Sequence, residues 1–228
     1  MHLNADFSRR AVVHGAALPW QPSPMAGVER RMLDRIGGEV ARATSIVRYA
    51  AGSRFSSHMH GGGEEFLVLD GVFQDEHGDF PAGSYLRNPP GSSHTPRSEP
   101  GCTILVKLWQ FDAADRTEVK LDTARIAARE VPGRPGVMAT PLFADTRETV
   151  RLEQWAPGAA IALPPQGGLE VFVLDGGFTE GGEVFAVHSW LRLPIGVPLT
   201  AAVGPHGCRA WIKEGHLRYV AVGAPTTG

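Results

Sequence analysis

The chain repeats itself. Laid on itself at an offset of about 105 residues, Glu65-Phe-Leu-Val-Leu-Asp-Gly-Val-Phe73 falls over Glu170-Val-Phe-Val-Leu-Asp-Gly-Gly-Phe178. Six of those nine positions are identical. Ser84-Tyr-Leu-Arg-Asn-Pro-Pro-Gly91 falls over Ser189-Trp-Leu-Arg-Leu-Pro-Ile-Gly196, and with one residue of slip Cys102 falls over Cys208. A repeat of this length means two copies of one folding unit. The expected division is 1–111, a polar connector 112–130 with one short helix, and 131–228.

Each copy reads as a string of short strands. Thr44–Tyr49, Phe66–Leu69 and Thr103–Trp109 are apolar or β-branched runs, and Gly52, Gly71, Gly83 and Gly91 punctuate them. The 28 glycines and 18 prolines are spread along all 228 residues, which favours tight turns over long helices. The expected fold class is all-β, a small barrel or sandwich rather than a parallel α/β sheet. Net charge is −2 and no basic stripe occurs, so no nucleic-acid partner is expected. The first residues carry no apolar signal core and no run is long enough to span a bilayer. Two cysteines, Cys102 and Cys208, make no disulfide framework. Together these features predict a reduced, cytoplasmic protein without a membrane partner.

The chemistry lies in the first copy. His58 and His60 stand two residues apart, so in an extended strand they share a face. Glu64 and Glu65 follow three glycines, and His94 comes after Pro89-Pro-Gly-Ser-Ser. Two histidines, one carboxylate and a third histidine can surround a divalent cation. Adjacent strand residues face opposite ways, so only one of Glu64 and Glu65 can join them.

The spacing of these residues resembles the cupin family. Its first motif, Gly-x5-His-x-His-x3,4-Glu-x6-Gly, fits Gly52, His58, His60, Glu64 and Gly71; its second, Gly-x5-Pro-x-Gly-x2-His, fits Gly83, Pro89, Gly91 and His94. The resemblance implies a double-stranded β-helix (jelly roll) in two tandem cupin units, a bicupin. It implies His58, His60, Glu64 and His94 as the metal ligands, with Glu65 left to a structural or surface role. The stretch Gly61–His94 looks like the ChrR-type cupin, the C-terminal domain of an anti-sigma factor, which implies zinc; Fe, Mn or Ni are the alternatives. The helical His-x3-Cys-x2-Cys zinc domain of those anti-sigma factors has no counterpart in this sequence, so sigma-factor binding is not supported.

The second copy is expected to be empty. Pro164 falls at His58, Gln166 at His60, Leu169 at Glu64 and Leu199 at His94. The remaining histidines, His2, His14, His77, His188, His206 and His216, show no ligand spacing. Phe55, Phe66, Val68, Tyr85 and Trp109 are candidates for a pocket wall by strand position. Two functions fit the site. One is a ligand-sensing or stress-response module of the ChrR kind that binds a small molecule and pairs as a homodimer. The other is an Fe(II)-dependent dioxygenase cleaving a small keto or diketo substrate.

Overall fold

The computed structural model describes residues 1–164 and 167–220. The chain forms two units. Among the described residues, the first comprises 1–5 and 19–125, and the second comprises 6–18 and 126–220. Among the described residues regular structure is β-strand with three short 3-10 turns, and no helix among them is long and apolar enough to cross a membrane.

The first unit is built on one antiparallel order: Val28–Gly37, Ala41–Tyr49, Cys102–Leu108, Glu64–Asp75, Ser84–Asn88, Val119–Asp122. A separate two-stranded ribbon pairs His58–Met59 with Ser93–His94. The strand alternation sorts side chains onto two faces. Phe66, Val68, Leu86, Ile104 and Val106 share the inner core with Phe73 and Cys102. The other face carries Glu65, Arg87 and Lys107, which stand side by side on three strands. All three are buried. The Tyr85 hydroxyl donates to Glu65 at 2.5 Å, Arg87 donates to Asp115 at 2.9 Å, and Lys107 donates to the Thr44 hydroxyl at 2.8 Å. Buried charges are tolerated when paired in this way.

The second unit keeps the same order: Val137–Ala144, Thr149–Trp155, Leu199–Glu214, Leu169–Glu180, Ser189–Leu193 and then Ala11–His14. Its charged row is repeated as Lys213, Glu170 and Arg192 in the same register. Glu170 accepts from Trp190 Nε1 at 3.1 Å and lies 2.8 Å from His216 Nε2.

The units differ from the expected division in one respect. Val119–Asp122, expected in a connector, is the edge strand of the first unit, and Thr123 bonds the Gly83 carbonyl through its amide and its hydroxyl. Ala11–His14, expected in the first unit, occupies the equivalent edge of the second. The first copy's sequence therefore supplies the edge strand of the second unit, and the connector supplies that of the first. The reason is local: an exposed edge leaves amides and carbonyls unpaired, and these two four-residue segments satisfy them.

Both cysteines are buried and free, and burial pushes their thiols up, Cys102 to about 11 and Cys208 to about 12. They behave as small core side chains.

Two predictions follow from these contacts. A fragment ending at residue 111 leaves the Ser84–Asn88 edge bare, so residues 19–111 should aggregate where residues 19–125 remain soluble; gel filtration of the pair checks this. The second concerns Glu153, held by Arg134 at 2.7 and 2.8 Å, by Arg151 at 2.6 Å and by Trp155 Nε1 at 2.6 Å. Burial raises its carboxyl, but the Arg134 bonds, the Arg151 charge and the Trp155 bond outweigh burial and hold it below the ordinary 4.5. A depressed carboxylate stabilises the fold fully above its unfolded value and loses that stabilisation as pH falls through the folded one. Melting temperature should therefore drop below about pH 4.5, and Glu153→Gln should flatten that drop while lowering the neutral-pH value.

Candidate metal centre

Four side chains meet at one end of the first unit's inner face. His58 and His94 are register partners in the two-stranded ribbon, and His60 continues it, its amide donating to the Ser92 carbonyl at 2.9 Å. Glu64 opens the long strand Glu64–Asp75 and faces Asn88 across the ladder. One ligand atom from each of His58, His60, Glu64 and His94 lies within 4.8 Å of all the others. Among the described residues this is the one such group.

Three of the donors are closer still. His60 Nε2 and His94 Nε2 are 3.3 Å apart, and Glu64 Oε2 lies 3.3 Å from the first and 3.6 Å from the second. A cation holding nitrogen and oxygen at about 2.0–2.2 Å sets neighbouring donors about 3.0 Å apart at a right angle and about 3.4 Å apart at the tetrahedral angle. Two of the three spacings fall in that range, and the His94–Glu64 distance lies slightly above it.

The hydrogen bonds behind the rings fix which nitrogen carries the proton. Ser92 donates its hydroxyl to the Pro89 carbonyl at 2.6 Å, so it must accept from His60 Nδ1 at 3.0 Å. His94 Nδ1 faces the Asp75 carboxylate at 3.3 Å, which can only accept. His58 Nδ1 faces the Ser56 carbonyl at a long 3.5 Å. In each neutral ring Nδ1 is the donor, and Nε2 is left as a bare electron pair. Those pairs and the Glu64 oxygen converge, an arrangement that requires a shared positive charge. The residues therefore fit a divalent metal ion.

The two buried rings titrate in opposite directions. Burial lowers the His60 imidazolium, Glu64 raises it, and His94 and His58 push it down, for a net fall. Burial also works against the charged form of His94, but the Asp75 hydrogen bond and the Glu64 charge prevail and raise it. His60 is held toward its neutral form, whereas Asp75 and Glu64 favour positive charge beside His94.

Sequence reasoning missed the supporting residues. Asn88 Nδ2 donates to Glu64 Oε2 at 3.1 Å, Asp75 orients His94, Ser92 orients His60, and the Phe73 ring lies 5.6 Å from the His94 ring. Asn88 had a usable signal: in the repeat its position holds Leu193, which pairs with Leu169 as Asn88 pairs with Glu64. Carboxylate and amide are replaced together by two leucines in the second unit's apolar core. Of the expected wall residues, Phe66 and Val68 are inner core. Tyr85 is spent on Glu65, Phe55 packs on Tyr49, and Trp109 lies against Gly61 and Gly62. In the second unit Leu169 and Leu199 are buried among apolar neighbours, and Pro164 is exposed. Gln166 lies outside the described residues. His216 is buried against Glu170 rather than free at the surface, and His188 stacks on Phe172 at 5.7 Å.

The family model of the ChrR cupin-like domain matches residues 8–112, a little under half of the chain. The fold is that of the cupins. Solved structures share it over nearly the full length. A candidate dioxygenase from Nostoc punctiforme is 15% identical, with 100% of this chain and 86% of that one covered at a TM-score of 0.69. The protein YlbA from Escherichia coli is 14% identical, with 92% and 93% covered at 0.68. A mutant of the oxalate decarboxylase OxdC from Bacillus subtilis is 12% identical, with 90% and 77% covered at 0.63. These identities speak for the cupin fold alone. A comparison with curated proteins finds no match.

The two adjacent glutamates should separate cleanly. Glu64→Gln should fold normally and lose most of its bound metal. Glu65→Gln should keep its metal and melt earlier, since breaking a buried pair costs about 3–5 kcal/mol. Metal content after gel filtration and a thermal melt of each variant check this; reversal of the two phenotypes would exchange their roles.

Proposed function

We propose that the first cupin unit holds one divalent cation through His58, His60, Glu64 and His94, and that the chain is a ChrR-like ligand-binding module. The observation that carries this reading is the asymmetry of exposure: His60, Glu64 and His94 are buried, whereas His58 is exposed. The cluster thus opens toward solvent on one side. Three neutral imidazoles and one carboxylate around a dication leave a net charge near +1, suited to an anionic or enolic oxygen donor. Nitrogen and oxygen donors without sulfur accept Zn, Fe, Mn or Ni. The resemblance to ChrR favours zinc.

A second reading, an Fe(II)-dependent dioxygenase acting on a small keto or diketo compound, is favoured by the tight His60–His94–Glu64 triangle. Two histidines and one carboxylate on a single face are the donor set of non-haem iron oxygenases. When bound, such a metal supplies Lewis acidity and a place for oxygen to react. The chain's own residues would hold it and, through Asp75, Ser92 and Asn88, keep the Nε2 atoms of His60 and His94 and the Glu64 oxygen directed at it.

The deciding measurement is metal content of the purified protein, followed by oxygen uptake with diketones after Fe(II) loading. The module reading expects one zinc per chain, a melting temperature that falls on chelation, and no oxygen uptake. Uptake that disappears in His60→Ala would establish the dioxygenase instead. Protein that takes up no divalent metal at all would sink both.

A further inference from the structure

Three non-glycine residues among those described have left-handed backbones: Asn4, Trp109 and His188. Asparagine adopts this conformation readily, but for a bulky aromatic residue it is disfavoured by clash of Cβ with the backbone. Trp109 sits there at φ 59°.

The internal repeat shows what the fold itself requires at this point. The Trp109 amide donates to the Gly63 carbonyl at 3.0 Å, and in the second unit the Gly215 amide donates to the Gly168 carbonyl at 3.0 Å. Gly215 is also left-handed, at φ 89°. Two residues on, Phe111 donates to Gly62 at 3.3 Å and Leu217 to Gly167 at 3.0 Å. Phe111 covers Gly63 as Leu217 covers Gly168. The turn is the same in both units, and glycine serves it without strain. Only the unit with the ligand cluster places an indole there.

The indole covers the loop that joins two of the ligands. A Cβ added to Gly62 would lie 2.3 Å from Trp109 Cε3, and one added to Gly61 would lie 2.9 Å from Cζ2. Gly61, Gly62 and Gly63 are the whole connection between His60 and Glu64, whose donor atoms stand 3.3 Å apart. Three glycines in a row would leave that spacing free to vary. We infer that Trp109 is a positioning residue of the metal centre, pressing its ring on Gly61–Gly62 to fix the separation of His60 and Glu64. This rests on the metal reading given above.

The test uses full-length protein and Co(II) alone as probe, with affinity from chelator competition and geometry from the visible absorption of bound cobalt. Trp109→Gly, which restores the residue of the second unit, should leave the metal-free melting temperature near wild type, weaken Co(II) binding about 10- to 100-fold, as loss of other supporting contacts does, and alter its spectrum. Trp109→Phe should recover much of the affinity. Gly62→Ala should weaken binding in the wild-type background and much less beside Trp109→Gly, since the two act through one contact. Wild-type affinity and spectrum in Trp109→Gly would overturn the inference. So would a Trp109→Gly protein that fails to fold without metal, because plain packing accounts for that outcome. Absence of Co(II) binding in the wild type would overturn the metal reading itself, and this inference with it.

Discussion

Electron pairs aimed at one point repel each other, and much of the first unit holds four of them in place. Each imidazole is pinned from behind through Nδ1, by Ser92, by Asp75 and, more loosely, by the Ser56 carbonyl. The fourth donor is set by strand register. Because Glu64 lies opposite Asn88 and on the face of Phe66 and Val68, its carboxylate points inward and is steadied by the amide. A slip of one residue would send Glu65 inward and strand Glu64 on the charged reverse face. The turn at Gly71 helps to lock that register: its φ is 71°, and a Cβ there would lie 2.1 Å from the Gly101 carbonyl oxygen.

How far the sequence could be read depended on the physics involved. Strand type, the repetition of one unit and the four converging side chains were legible, because alternation, self-similarity and ligand spacing can be read along the chain. Asp75 and Ser92 were not, because their roles arise from register between distant strands and from ring tautomers, and Asn88 was marked only by its replacement with Leu193 in the repeat. The edge strands were misjudged for a similar reason. Nothing in Ala11–His14 or Val119–Asp122 states which sheet edge it will cover. Glu65 was read as structural or at the surface, and it is deeply buried: Tyr85, Arg87 and Lys107 around it make burial of a charge tolerable.

The repeat works as an internal control on what the fold needs and what the site needs. The row Lys107–Glu65–Arg87 recurs as Lys213–Glu170–Arg192, so it belongs to the architecture. Glu64 and Asn88 become Leu169 and Leu193, so they belong to the chemistry. The exchange is physically coherent. An amide left beside a leucine would be buried without a partner, whereas two leucines pack.

The edge strand that the second unit takes from the first copy sets an order of events during synthesis. Ala11–His14 is synthesised about 180 residues before its ladder partner in Ser189–Leu193. Until then the early segment has no sheet to join, and the second unit cannot close its edge before Ser189–Leu193 is made. The first half meets no such delay, since Val119–Asp122 follows it directly. The ligand-bearing half can therefore mature on the nascent chain, while the other half must recruit a segment made long before its partner strand.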